Sequence, residues 1–312
     1  MARKKRGRAI DGILLLNKPQ GSTSNRVLQQ IKRLFNAQKA GHTGILDPMA
    51  SGVLPICLGE ATKFSQFLLD SDKAYSATVR FGEKTDTADA EGEIVERCDT
   101  TLISREQLEQ VLSTLLGDTK QVPPMYSALK RDGQPLYKLA RQGIEVERKA
   151  RDITIFSLEL DDFRRSSAGV EADITVTCSK GTYVRTLAED IAKALNNLGH
   201  LSRLERIKSS EFMLADCLTL EQLIAIEQED GLTGLDNQLL SAEVAVNHFP
   251  LVEVSEETGY YLRRGQSVFV PNIPTSGQLR LKIDDGTFIG IGEVLDDGRI
   301  QPRRLIADPN SL

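Results

Sequence analysis

The chain alternates short apolar runs with polar turns, and the period of each run separates strands from helices. Residues 12–16 form an unbroken apolar run of strand length. Ser22, Thr23 and Ser24 then offer helix caps. Val27, Ile31, Leu34 and Phe35 recur at helical spacing, with Arg26, Lys32 and Arg33 left for the polar face. Three glycines and Asp47-Pro48 break the pattern over 41–52, which predicts a loop leading into a buried strand at 53–58. Tyr75, Ala77, Val79 and Phe81 alternate on one strand face, and 85–92, rich in Asp and Thr, reads as a polar connection. Ser104 and Gln107 make a capping-box pattern ahead of Leu108, Leu112 and Leu115, with Gly117 as the stop. Val170, Ala172, Ile174, Val176 and Cys178 predict another strand, followed by a helix from about 182 to 195. From 249 the texture changes to short extended runs with turns at Arg264-Gly265, Asp285-Gly286 and Asp297-Gly298.

The 312 residues suit one large and one small domain. The pattern divides them into a basic tail at 1–9, a main body at 10–248 and a β-rich unit at 249–312. No apolar run reaches membrane-span length, so the expectation is a soluble protein, and its scattered cysteines fit a reduced cytoplasmic compartment. The basic stretch 3–8 reads as a solvated tail, because only a four-residue apolar run, 13–16, follows it. Cys57, Cys98, Cys178 and Cys217 are scattered, and His42, His200 and His248 show no metal-ligand spacing, so no metal site is expected. A net charge of −5 does not mark a nucleic-acid binder, and any such role must come from local patches. The segment 120–151 is such a patch, with eight basic residues against three acidic ones and Tyr126 and Tyr137 interleaved.

The chemistry concentrates in Gly41-His42-Thr43-Gly44-Ile45-Leu46-Asp47-Pro48-Met49-Ala50-Ser51-Gly52. This stretch resembles the catalytic motif of the pseudouridine synthases, specifically the bacterial tRNA pseudouridine-55 synthase (TruB) family. Further family motifs follow in order: Lys18-Pro19, Lys73-Ala74-Tyr75, and Ser179-Lys180-Gly181-Thr182-Tyr183-Val184-Arg185-Thr186. Met49 and Ser51 stand where the family commonly has Leu and Thr, and both preserve size or hydroxyl chemistry. The resemblance covers nearly the whole chain, and its end looks like a PUA RNA-binding domain.

That resemblance implies an α+β fold: a mixed α/β catalytic body with a central mixed, largely antiparallel sheet, plus a small β-barrel-like PUA domain. It implies isomerisation of uridine 55 in the T loop of tRNA by flipping the base into a pocket, without cofactor or guide RNA, by a monomer with no obligatory protein partner. Asp47 is the implied catalytic group, able to attack carbon or to take a proton and open an elimination route. Arg185 is its implied counter-ion. Tyr75 is implied to stack on the base, Tyr183 and Leu204 to line the uracil pocket, and His42 to fill the gap left by the extruded base. Lys18, Lys63, Lys130, Arg141 and Arg148 are the implied RNA contacts, and Arg263-Arg264 and Arg303-Arg304 face the acceptor stem.

Taken singly, these residues have plainer readings. An Asp before Pro makes Asx turns, an alternating Tyr packs a strand, and a leucine at helical spacing fills a core. Three rival functions use the same sequence: a synthase working within a guide-RNA complex, an RNA-remodelling protein, and a hydrolase pairing Asp47 with a carboxylate from 85–92. The basic 120–151 segment resembles the stand-alone enzymes and disfavours the first. The polar-connection reading of 85–92 disfavours the third.

Overall fold

The computed structural model describes residues 7–167 and 169–307. Nine strands form the central sheet: β1 (Gly12–Lys18), β2 (Ala40–His42), β3 (Ser51–Leu58), β4 (Lys73–Phe81), β5 (Gly117–Gln121), β6 (Arg151–Ser166), β7 (Gly169–Cys178), β8 (Gly199–Ser209) and β9 (Phe212–Met213). The strand order is β1-β3-β8-β4-β7-β6-β5, with β2 beside β3 and β9 beside β8. Only the β3–β8 pair is parallel, so the sheet is the mixed, largely antiparallel one expected.

The predicted alternations become the buried face of this sheet. Val79, Phe81, Ile174 and Val176 pack under Leu108 and Leu112 of α2 (Arg105–Thr114) and under Leu187 and Ile191 of α3 (Val184–Ala194). Each such side chain removed from water contributes roughly 1.5–3 kcal/mol. The Ser104 capping box is formed, with Gln107 N donating to Ser104 Oγ at 3.2 Å. Thr23 caps α1 (Ser24–Leu34), which lays Val27, Leu28 and Ile31 on the same core. The helix α4 (Leu220–Asp236) is broken at Gly231, whose φ of 65° leaves the helical region. No helix among the described residues is long and apolar enough to cross a membrane.

The C-terminal unit comprises β10 (Leu251–Val254), α5 (Glu256–Arg263), β11 (Val268–Phe269), β12 (Gly277–Ile283), β13 (Phe288–Val294) and β14 (Arg299–Leu305). Its strands curl into a half-barrel in the order β10-β12-β13-β14-β11. The unit does not hang from a linker. Phe288 and Ile291 join Ile13, Leu15, Val53 and Phe64 in one apolar cluster, with the Phe64 and Phe288 rings 5.5 Å apart.

Two basic expectations change here. Arg8 is not a solvated tail charge, because its guanidinium bonds both carboxylate oxygens of Asp236 at 2.5 and 2.7 Å; residues 1–6 of the tail lie outside the described residues. Lys63, expected on RNA, pairs with Glu60 at 2.5 Å and donates to the Leu305 carbonyl at 2.8 Å. Arg304 in turn donates to the Lys63 carbonyl at 2.6 Å, so both cations clamp the C-terminal unit to the main body. Arg303 pairs with Glu293 at 2.6 Å.

Candidate active site

The loop between β2 and β3 is held from several sides before any substrate arrives. The Ser24 hydroxyl, in the first turn of α1, accepts from Leu46 N at 2.9 Å and donates to Leu46 O at 3.0 Å. Gly21 N bonds the Pro48 carbonyl at 2.8 Å, and Thr43 N bonds the Pro55 carbonyl at 3.1 Å. Lys18 donates to the Ala50 and Pro19 carbonyls at 2.6 and 2.8 Å and is fully buried. Burial pulls its ammonium down to about 8. Lys18 therefore cannot reach a phosphate, and its expected RNA contact is corrected to a brace under the loop. The loop is also shorter than 41–52, since Gly41 and His42 belong to β2 and Ser51 and Gly52 to β3.

Asp47 projects from this braced loop toward Arg185 in the first turn of α3, 138 positions away. Arg185 Nη2 donates to Asp47 Oδ1 at 3.2 Å, and Nε lies 2.9 Å from Oδ2. The guanidinium is 4 % exposed, whereas the Asp47 side chain keeps 31 % of its surface open. The carboxylate thus has one face against its counter-ion and one face free. Burial pushes the Asp47 carboxyl above the usual carboxylate range, Arg185 pulls it back, and Asp89 adds to the rise.

Asp89 is the functional residue that sequence reasoning missed. It is buried in the 85–92 segment, with its carboxylate 3.5 Å from Arg185 Nη1. Thr87 Oγ1 donates to it at 2.7 Å and Glu91 N at 3.1 Å. Arg185 Nη1 also donates to the Thr87 carbonyl at 3.0 Å, and Nη2 to the Tyr126 carbonyl at 2.7 Å. The segment is therefore a structured wall of the site and not a mere polar connection. Its backbone carries strain at Ala88, where φ is 62°. The Asp and Thr content was visible in the sequence, but no local pattern assigns one of those aspartates to an arginine 96 positions later.

The remaining expected residues come from β2, β4, β8 and the start of α3. Tyr75 is half-buried on β4, and Leu204 sits on β8 opposite Ala77, so the two share a sheet face. Leu204 is thus a strand residue and not a helical one, and it is buried in the main apolar cluster, as the plainer core reading expected. Tyr183 caps α3 and is gripped through its backbone by buried Gln121, whose Oε1 accepts from Tyr183 N at 2.8 Å while Nε2 donates to Tyr183 O at 3.1 Å. Burial lowers the pKa of His42, and its Nδ1 is enclosed without a hydrogen-bond partner. A cleft of about 400 Å³ lies alongside, lined by Gln20, Gly21, Met49, Ala90, Glu91 and Ser202.

The basic segment begins at the site through Tyr126 and then turns outward. Lys130 is exposed in a short hairpin, and Arg141 lies 5.7 Å from the Tyr137 ring centroid. Arg148 is partly tied, donating to Glu145 at 3.1 Å and to the Pro123 carbonyl at 3.4 Å. On the C-terminal unit, Arg264 stacks over exposed Tyr260 at 4.0 Å.

An aspartate on a loop of this sheet meets an arginine from the helix packed against it, and the family comparison names the class. Residues 32–184 match the model for "TruB family pseudouridylate synthase (N terminal domain)". Residues 185–247 match "tRNA pseudouridylate synthase B C-terminal domain", and 250–306 match "Pseudouridine synthase II TruB, C-terminal". The chain is 52 % identical to "tRNA pseudouridine synthase B" of Pseudomonas aeruginosa over 307 residues, 98 % of this chain and 99 % of that one. It is 51 % identical to the Coxiella burnetii protein of the same name over 299 residues, 96 % of each chain. Among solved structures, it resembles a chain of the "Cbf5-Nop10-Gar1 Complex" with a TM-score of 0.72 at 25 % identity, covering 94 % of this chain and 84 % of that one. The chain belongs to the TruB family of pseudouridylate synthases.

Proposed function

We propose that this protein isomerises uridine 55 in the T loop of tRNA to pseudouridine, with Asp47 as the catalytic group. The observation that carries the reading is the half-open carboxylate of Asp47 held by a buried Arg185. The reaction detaches uracil from N1, turns it and rejoins it through C5, so nothing is oxidised or hydrolysed overall. Asp47 serves this either by attacking carbon or by removing a proton to open an elimination route. Arg185 keeps the carboxylate ionised and oriented in both cases. Tyr75 stacks on the flipped base, Leu204 and Tyr183 bound its pocket, and His42 occupies the space the base vacates.

The tRNA substrate is supported by the relatives named tRNA pseudouridine synthase B. Phosphate contacts come from Lys130 and Arg141 in the basic segment, with Arg148 a lesser one because of its internal bonds. The C-terminal half-barrel, read as a PUA-like RNA-binding unit, extends the surface toward the acceptor stem. Action as a cytoplasmic monomer, without guide RNA or protein partner, completes the reading. Mapping pseudouridine in unmodified tRNA incubated with the purified chain tests it: modification at position 55 alone is expected. Failure of the isolated chain to act, or modification elsewhere, overturns the assignment.

A further inference from the structure

The junction of β3, β4 and β8 holds a charge that the chemistry above does not use. Arg206 on β8 faces Tyr75 across the antiparallel pair and Gly52 across the parallel pair. One residue therefore joins the strand of the stacking tyrosine to the strand that leaves the Asp47 loop. Its side chain is sealed at 1 % exposure, with Nε donating to the Val53 carbonyl at 2.7 Å and Nη2 without a hydrogen-bond partner. Its Nη1 lies 3.4 Å from where a Cβ on Gly44 would stand, which sets the guanidinium against the turn before Asp47. Gly52 serves the same junction: at φ +106° a Cβ there would fall 2.2 Å from the Arg206 carbonyl oxygen.

A guanidinium buried this deeply with an unsatisfied nitrogen is unfavourable, and an apolar side chain of similar volume would fill the space at lower cost. Directly opposed residues in an antiparallel pair project from the same face, which sets the Arg206 and Tyr75 side chains beside each other. Burial pushes the Tyr75 phenol up, while the charge of Arg206 pulls the other way. Uracil must turn between leaving N1 and rejoining at C5, so the ring beneath it has to stay fixed while the base moves.

We infer that Arg206 is a positioning residue of the isomerisation, holding the Tyr75 hydroxyl and the Asp47 loop at a set spacing from behind. It acts through Tyr75 and not by touching uridine, and the inference rests on the reading of Tyr75 as the ring under the target base.

The test uses the full chain carrying tyrosine labelled with carbon-13 at Cζ, the Tyr75 resonance being assigned by its loss in Tyr75→Phe. Arg206→Met is expected to bind unmodified tRNA within about threefold of the parent, to lose about tenfold or more in single-turnover rate, and to shift the Tyr75 Cζ resonance. Arg206→Lys, which keeps the charge, is expected to recover part of both. A parent-like rate in Arg206→Met overturns the inference, and so does a lost rate with the Tyr75 resonance unmoved. If Arg206→Met does not fold, Arg206→Lys decides alone: a reduced rate with a shifted resonance supports the role, and parent-like values of both overturn it. Full activity of Tyr75→Leu would instead sink the Tyr75 reading itself, a result that involves no change at Arg206.

Discussion

Replacing Asp47 by asparagine separates catalysis from folding, because the structure sets the two effects far apart. The amide keeps the shape of the carboxylate and removes its charge, so neither attack on carbon nor proton abstraction is available. Loss of a central catalytic group costs at least about 10³-fold in rate. Stability follows a different sign. Burial raises the Asp47 pKa, so the folded protein binds its proton more readily than the unfolded chain, and ionisation at neutral pH is a cost to folding. Removing that charge, on a side chain 31 % exposed, changes stability by no more than about 1 kcal/mol in either direction, or ~2–4 °C in melting temperature. Arg185 keeps Asp89 and the Thr87 and Tyr126 carbonyls as partners. Asp89→Asn contrasts with it on stability: its carboxylate is 5 % exposed and bonded to Thr87 and Glu91, so its loss costs about 2 kcal/mol or more. The assay follows release of tritium from C5 of uridine-labelled tRNA, since C5 must lose its hydrogen when it bonds ribose, alongside filter binding and thermal melting. Turnover by Asp47→Asn within about tenfold of the parent refutes the catalytic assignment. A large fall in its melting temperature refutes the electrostatic reasoning.

The other predictions are independent of that one. Activity requires the ionised Asp47 and therefore falls as pH drops; the raised pKa puts this acid limb above 3.8, and Arg185→Met should move it higher still by removing the main downward pull, which a pH–rate profile of each enzyme reads. Neutralising Lys130 and Arg141 should flatten the log–log salt dependence of tRNA binding by roughly 0.7–0.9 per lost contact, and Arg148 should contribute less. An unchanged slope would make the segment a solvated face. Tyr75→Phe should keep most base stacking while Tyr75→Leu loses about 1–3 kcal/mol of it, measured as tRNA affinity and rate; full activity in both, with only a lower melting temperature in the leucine variant, would make Tyr75 a core residue. Gly52→Ala should lower stability by about 2 kcal/mol or more, because its Cβ would strike the Arg206 backbone, and a parent-like melt would contradict the close approach.

Local pattern determined much of this protein from its sequence alone. The caps at Thr23 and Ser104 and the alternations at 75–81 and 170–178 are short-range statements about hydrogen bonding and burial, and they reappear in place. The ordered motifs also pointed to Asp47, and the resemblance they carry paired it with Arg185, because each lies in a compact signature. Charge was where sequence reasoning failed. A lysine in a family motif, a lysine near the surface and an aspartate in a polar loop look alike as letters, yet Lys18 is sealed under the loop, Lys63 clamps the C-terminal unit, and Asp89 backs the arginine that holds Asp47. Whether a charge meets solvent, a carbonyl or a distant counter-ion depends on which strands become neighbours, and the β3–β8–β4 junction that buries Arg206 exists only once residues 52, 75 and 206 meet across the sheet.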